Sequence, residues 1–137
     1  MTDDELAHLS DEHRDFFRRF QSFWAAPSGE RVADLIAPNA LIHFTGAGEM
    51  AGSTYFGLMG ELLGQMEELT VTPLDCAGNG DRLYIAWETS VKIHGETRVY
   101  RGVDRFRLKH GMAIEEHVIF DSAVLTPEGR GGIERAA

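Results

Sequence analysis

Asp104, His117 and Asp121 are the residues whose types and spacing could move a proton. An imidazole titrates near neutral pH, and a carboxyl withdrawn from water titrates towards it. Together on the wall of an apolar cavity, such groups can take a proton from carbon and return it. A carboxyl that stays protonated can instead donate a hydrogen bond to a developing oxyanion. Buried ionisable groups must be paired, neutralised or set against a wet cavity. A satisfied Asp–His pair with no chemistry meets that condition as well as an acid–base site does.

The elements that must position them lie in the second half of the chain. From Leu69 the pattern turns to period two, predicting strands over about Leu69–Ala77, Arg82–His94, Arg98–Lys109 and Ala113–Leu125. Short Gly-containing connections join them into an antiparallel meander. In the second of these strands Leu83, Ile85, Trp87, Thr89, Val91 and Ile93 share the side expected to face the core. In the third, Arg101, Arg105, Arg107 and Lys109 share one side, so Tyr100, Gly102, Asp104, Phe106 and Leu108 are expected inside. The last strand is ambiguous alone. A two-residue turn at His110-Gly111 pairs Lys109 with Met112, and continuing that register sets Asp104 opposite His117, Gly102 opposite Ile119 and Tyr100 opposite Asp121. Asp104, His117 and Asp121 then face inward, and Ile114, Val118 and Phe120 form an apolar outer face suited to a subunit contact. A one-residue slip or a bulge would reverse the last strand.

The first half reads as helical. Ser10 is a good N-cap for a helix to about Trp24, with Asp11 and Glu12 in its first turn and Phe16, Phe20 and Phe23 at helical spacing. Pro27-Ser28-Gly29 ends it, and a second short helix is expected over Glu30–Ile36. A short strand, Ala40–Thr45, and a loop at Gly46-Ala47-Gly48 precede a third helix over about Ser53–Met66. Gly57, Gly60 and Gly64 weaken that helix, each by about 1 kcal/mol against Ala. Either it is loosely optimised, or its backbone approaches something closely. Phe20, Phe44, Met59, Leu63, Trp87, Thr89, Tyr100 and Ile119 form the candidate substrate-contacting set.

Composition narrows the function classes. The chain has 137 residues, with 13 Lys plus Arg against 22 Asp plus Glu, a formal net charge of −9. That length fits one domain, and such an acidic balance lacks the basic footprint of a nucleic-acid binder. No apolar run approaches the roughly 20 residues of a membrane span. The acidic start, MTDDELAHLSDEH, is unlike a targeting peptide, so a cytoplasmic location is expected. The single cysteine, Cys76, permits no internal disulfide and reads as a small buried or edge residue. The segment from Thr126 onward, TPEGRGGIERAA, reads as a disordered tail.

The order of helices, one strand between them and then a four-strand meander resembles the NTF2-like superfamily, which includes SnoaL-like polyketide cyclases and steroid isomerases. The residues that carry it best are GVDRFRLKHGMAIEEHVIFDSAVL, Gly102–Leu125, similar to that family's last hairpin, and GAGEMAG, Gly46–Gly52, similar to the loop before its third helix. The resemblance implies an α+β fold, three N-terminal helices packed on a curved, mainly antiparallel sheet wrapped as a cone. It also implies a homodimer, a small apolar ligand in the mouth and no cofactor. Asp104 falls where steroid isomerases keep a protonated aspartic acid. Their base is replaced by Phe44 and their helix tyrosine by Phe20, which argues against ordinary steroid isomerisation. Limonene-epoxide hydrolase is similar in fold, but its Arg and two Asp are replaced by Ile85, Trp87 and Ile119, which argues against epoxide hydrolysis. The expectation is a proton-transfer enzyme of isomerase, cyclase or dehydratase type acting on an apolar carbonyl compound. The alternative is a non-catalytic binding or dimerisation module of the same fold.

The other histidines are expected outside this set. His43 points away from the interior if Phe44 points in, and His8, His13, His94 and His110 are expected in solvent. His43, His117, Asp104 and Asp121 lack the spacing of a metal site, and no metal is expected.

Overall fold

In a computed structural model, residues 1–129 are described. The elements are α1 (Asp11–Ala25), a 3-10 turn (Glu30–Asp34), β1 (Ile36–Phe44), β2 (Gly48–Ala51) and α2 (Gly52–Gly64), then β3 (Glu67–Asn79), β4 (Arg82–Ile93), β5 (Glu96–Lys109) and β6 (Met112–Phe120), closed by a second 3-10 turn, Ser122–Leu125. One six-stranded mixed sheet runs β2-β1-β6-β5-β4-β3, in which only the β1–β6 pair is parallel. The architecture is the expected α+β cone-like sheet with helices on one face.

Among the described residues there are two α-helices rather than three. Glu30–Asp34 makes only a 3-10 turn, and the chain enters β1 at Ile36, earlier than expected. Arg31 explains how so short a piece is held: its guanidinium donates to the Ser22 and Ala26 carbonyls at the end of α1. The expected loop at Gly46–Gly48 leads into an additional edge strand, β2, which folds back on β1.

Side-chain alternation decides the core. In β4, Leu83, Ile85, Trp87, Thr89, Val91 and Ile93 are all buried, as the sequence pattern predicted. α1 lies across this inner face: its cap is the Ser10 hydroxyl accepting from His13 N–H, and Phe16 and Phe20 pack on Phe106 with ring centroids 4.7 and 6.1 Å apart. His13 corrects the expectation of a solvated histidine. It is buried on the inner side of α1, where Gly78 of β3 supplies the space its ring needs.

The glycines of α2 divide. Gly60 packs on Gly29, where a Cβ on Gly29 would come within 2.7 Å of the Phe56 carbonyl oxygen. Gly57 and Gly64 meet nothing within 4 Å. Close approach of backbone therefore accounts for one of the three.

The β5–β6 hairpin carries the main departure. His110 and Gly111 both take positive φ, making the two-residue turn with Lys109 opposite Met112. The register then shifts between Leu108↔Ala113 and Arg107↔Glu115, leaving Ile114 as the extra residue of a β-bulge. From there Asp104 pairs with Val118, Arg105 with His117 and Gly102 with Phe120. The face of the last strand is thus opposite to that expected. Glu116, Val118 and Phe120 are buried, and Ile119 is 52 % exposed.

The chain after β6 is held for some distance. Arg98, itself buried on β5, donates to the carbonyls of Val124, Thr126 and Pro127. A disordered tail was expected from Thr126; Thr126 and Pro127 are instead held by Arg98, and residues 130–137 of that expected tail lie outside the described residues.

Candidate active site

Inside the curve of the sheet is an apolar cavity of about 60 Å³, partly open to solvent. Phe44 of β1, Trp87 and Thr89 of β4, Tyr100 of β5 and Phe120 of β6 supply its sheet wall, and Tyr55, Met59 and Leu63 of α2 supply the facing wall. The aromatic rings brace one another: Phe44–Phe120 at 5.4 Å, Tyr100–Phe120 at 5.6 Å and Trp87–Tyr100 at 5.8 Å between centroids. Among the described residues, the one carboxyl in this lining is Asp104.

Asp104 sits on the inner face of β5 because its strand alternates with Tyr100, Gly102, Phe106 and Leu108. It is 5 % exposed, and its Oδ1 has no hydrogen-bond partner. Burial in apolar surroundings pushes its pKa up to about 7. The Trp87 indole opposes that rise, lying close enough to favour the charged carboxylate. The indole N–H nevertheless makes no hydrogen bond of ordinary geometry and is likewise unpaired.

A second carboxyl stands behind the first. Glu116 of β6 is 4 % exposed and lies diagonally across the hairpin from Asp104, since Val118 is Asp104's direct partner and Glu116 precedes it by two. It lines a smaller inner cavity of about 20 Å³, which also touches Asp104 and Tyr55. Burial, then the charge of Asp104, push Glu116 well above the ordinary carboxylate range, and its hydrogen bond with Tyr55 offsets part of this. Tyr55 is raised well above its ordinary value by burial and by both carboxyls, so it stays a neutral hydroxyl. Tyr100 is raised by burial to about 12, against the effect of its hydrogen bond with Thr89.

The structure therefore regroups the expected residues. Phe44, Met59, Leu63, Trp87, Thr89, Tyr100 and Asp104 line the larger cavity together. Phe20 does not: it packs on Phe106 and lines the inner cavity. Ile119 faces outward because of the bulge. For the same reason His117 leaves the inner face. It stacks on His43, its neighbour on β1, at 5.2 Å between centroids, and its Nε2 lies 2.9 Å from Glu115 Oε1. Asp121 is exposed and caps the last 3-10 turn, accepting from Ala123 N–H. Glu116 and Tyr55 are the residues that sequence reading missed. A signal for Glu116 was present, because it shares parity with the apolar Val118 and Phe120. For Tyr55 no comparable signal exists beyond its place on α2.

The SnoaL-like domain model matches residues 17–117, which include both buried carboxyls and the cavity lining apart from Val118, Phe120 and Leu125. The chain belongs to the SnoaL-like family. No curated protein matches this SnoaL-like sequence significantly. Among solved structures, an NTF2-like protein of unknown function from Burkholderia pseudomallei is 15 % identical with a TM-score of 0.74, the match covering 83 % of this chain and 94 % of that one. IdmH of Streptomyces antibioticus, designated a candidate polyketide cyclase, is 17 % identical with a TM-score of 0.69, covering 78 % of this chain and 90 % of IdmH. TerC, crystallised with polyporic acid, is 13 % identical with a TM-score of 0.71, covering 83 % of this chain and 95 % of TerC. At these identities the likeness is one of fold. Among the described residues, no helix of this SnoaL-like chain is long and apolar enough to cross a membrane.

Proposed function

We propose that the chain is a cofactor-independent proton-transfer enzyme acting on a small, mostly apolar carbonyl compound bound in the larger cavity. The observation that carries this reading is Asp104: a buried carboxyl whose Oδ1 has no hydrogen-bond partner, the one carboxyl that the described residues place in this apolar and aromatic wall, poised near neutral pH. Catalytic carboxylates work best with an acidity close to the operating pH, and this placement supplies it. As carboxylate, Asp104 takes a proton from the carbon next to the ligand's carbonyl. The C–H electron pair becomes the enolate double bond, and the carbonyl electrons move to oxygen. The protonated carboxyl then returns its proton: to another carbon of the enolate in an isomerisation, to the alkoxide formed when the enolate carbon attacks a second carbonyl of the ligand in an aldol-type ring closure, or to a β-hydroxyl that the enolate electrons expel as water in a dehydration. The reading differs from the sequence expectation in its actors, since the buried Glu116 and Tyr55 stand behind Asp104 in place of His117 and Asp121. The neighbours' descriptions, a candidate polyketide cyclase and a protein crystallised with polyporic acid, agree with an unsaturated or aromatic oxygenated ligand.

The experiment is deuterium exchange from D2O into the α-carbons of cyclic ketones such as 2-tetralone, followed by NMR. Wild type is expected to exceed the buffer rate, with activity rising through about pH 7 as Asp104 ionises. Asp104→Asn is expected to lose roughly a hundredfold or more. Exchange no faster than buffer across the panel, with the ligands bound, would favour a binding module instead.

The outer face of the sheet supports a homodimer in this proposal. Leu41 and Ile119 are 46 % and 52 % exposed on neighbouring strands, beside the stacked His43 and His117. Sedimentation would read the dimer directly, and Ile119→Glu is expected to weaken it.

A further inference from the structure

Trp87 is more than an apolar wall. Its indole can only donate a hydrogen bond, never accept one. Burying such a donor without a partner costs about 1–3 kcal/mol, so a buried orphan N–H in a cavity lining is unusual. Trp87 is 6 % exposed, lines the larger cavity and leaves Nε1 unpaired. The ring is held there by a second feature of the sequence. Gly102 faces Trp87 across the β4–β5 ladder, and a Cβ on Gly102 would come within 2.5 Å of Trp87 Cζ2. The missing side chain lets the indole lie flat over β5, and Tyr100 and Phe120 brace it at 5.8 and 6.3 Å between centroids. The indole thus lies close enough to Asp104 to act on its carboxyl, whose Oδ1 is also without a hydrogen bond of ordinary geometry. The cavity holds a rigid donor next to a carboxyl, framed by aromatic faces.

We infer that the Trp87 indole N–H binds the ligand's carbonyl oxygen, so that the ligand is a flat, enolisable cyclic ketone with its α-carbon against Asp104. This rests on the proposed reading of the cavity and adds the group that selects the oxygen. A neutral donor aimed at that oxygen stabilises the enolate more than the ketone, because negative charge grows there during proton removal. Flat rings are favoured because Trp87, Tyr100, Phe120 and Phe44 present π surfaces on which they stack.

The test compares 2-tetralone with tetralin, its hydrocarbon counterpart, by calorimetry on wild type and Trp87→Phe. Trp87→Phe should weaken 2-tetralone roughly 3- to 10-fold and leave tetralin almost unchanged, as expected for one lost hydrogen bond. Independently of that variant's folding, Trp24→Phe leaves Trp87 as the single indole. In its NMR spectrum the N–H resonance should move downfield with 2-tetralone and not with tetralin. Equal weakening of both ligands, or an N–H that responds alike to both, would overturn the inference while leaving ligand binding intact. Failure of wild type to bind either ligand would overturn the cavity reading as well, and is distinguishable for that reason. A Trp87→Phe effect confined to the pH dependence of binding would show that the indole merely tunes Asp104, and would also overturn it.

Discussion

A carboxyl buried among aromatic rings is held in its acid form far above the pH at which an exposed one would lose its proton. Asp104 is that group here, and Glu116 is a second, raised by burial and by the charge of Asp104. Of the two, Asp104 lines the larger cavity, so Glu116→Gln, a neutral amide in place of the carboxyl, is expected to retain α-exchange activity within a few fold at pH 7–8. The same shift is a stability statement. The folded chain binds the Asp104 proton more tightly than the unfolded chain does. The stabilisation is complete below about pH 4 and is lost as pH rises through about 7. Urea unfolding should therefore show stability falling by about 1–3 kcal/mol between pH 5 and 8 from this group. Asp104→Asn should flatten that fall. His117 and Asp121 serve as controls at this scale: His117→Ala should leave exchange unchanged. Asp121→Ala should cost about 1 kcal/mol of stability through the lost cap, without affecting the chemistry.

At the scale of elements, the site depends on one inserted residue and one missing side chain. Ile114 is the inserted one, and it decides which face of β6 looks inward. Alternation along β4 and β5 was legible because each strand has one apolar face and one charged face, and the capped α1 was legible from Ser10 and its phenylalanines. β6 was not, because AIEEHVIF is mixed on both faces and nothing in its composition marks a bulge. A period of two turns one extra residue into a reversal, so a correct turn at His110-Gly111 still led to the wrong partner for Asp104. The missing side chain is that of Gly102. Gly102→Ala is expected to cost about 1–3 kcal/mol, because the added methyl meets both the Trp87 ring and the Ile119 carbonyl oxygen within 2.7 Å. Thermal unfolding measures that cost, and the Trp87 N–H resonance should shift in the same variant.

For the whole molecule, the helices and the sheet make an interior in which one wall is packed and the other left open. α1 fills the end of the cone at Phe106, while α2, with Tyr55 and Met59 inward, stands off from the sheet and leaves the cavity. The segment after β6 closes one side of the mouth: Leu125 lines the cavity, His94 Nε2 lies 2.9 Å from its carbonyl oxygen, and Arg98 holds the carbonyls on either side. Arg98→Ala is therefore expected to lower stability and to speed ligand release in stopped-flow measurements. The fold itself was legible in the order of elements and the hairpin spacing. The cavity's chemistry was not, because it depends on which residues lack a partner after packing. The measurement that reaches this most directly is the NMR titration of the Asp104 side-chain carboxyl carbon, with the cavity free and then filled by tetralin. A midpoint near 7 that moves when the cavity is filled is expected. A midpoint in the ordinary carboxylate range near 4, indifferent to tetralin, would contradict it.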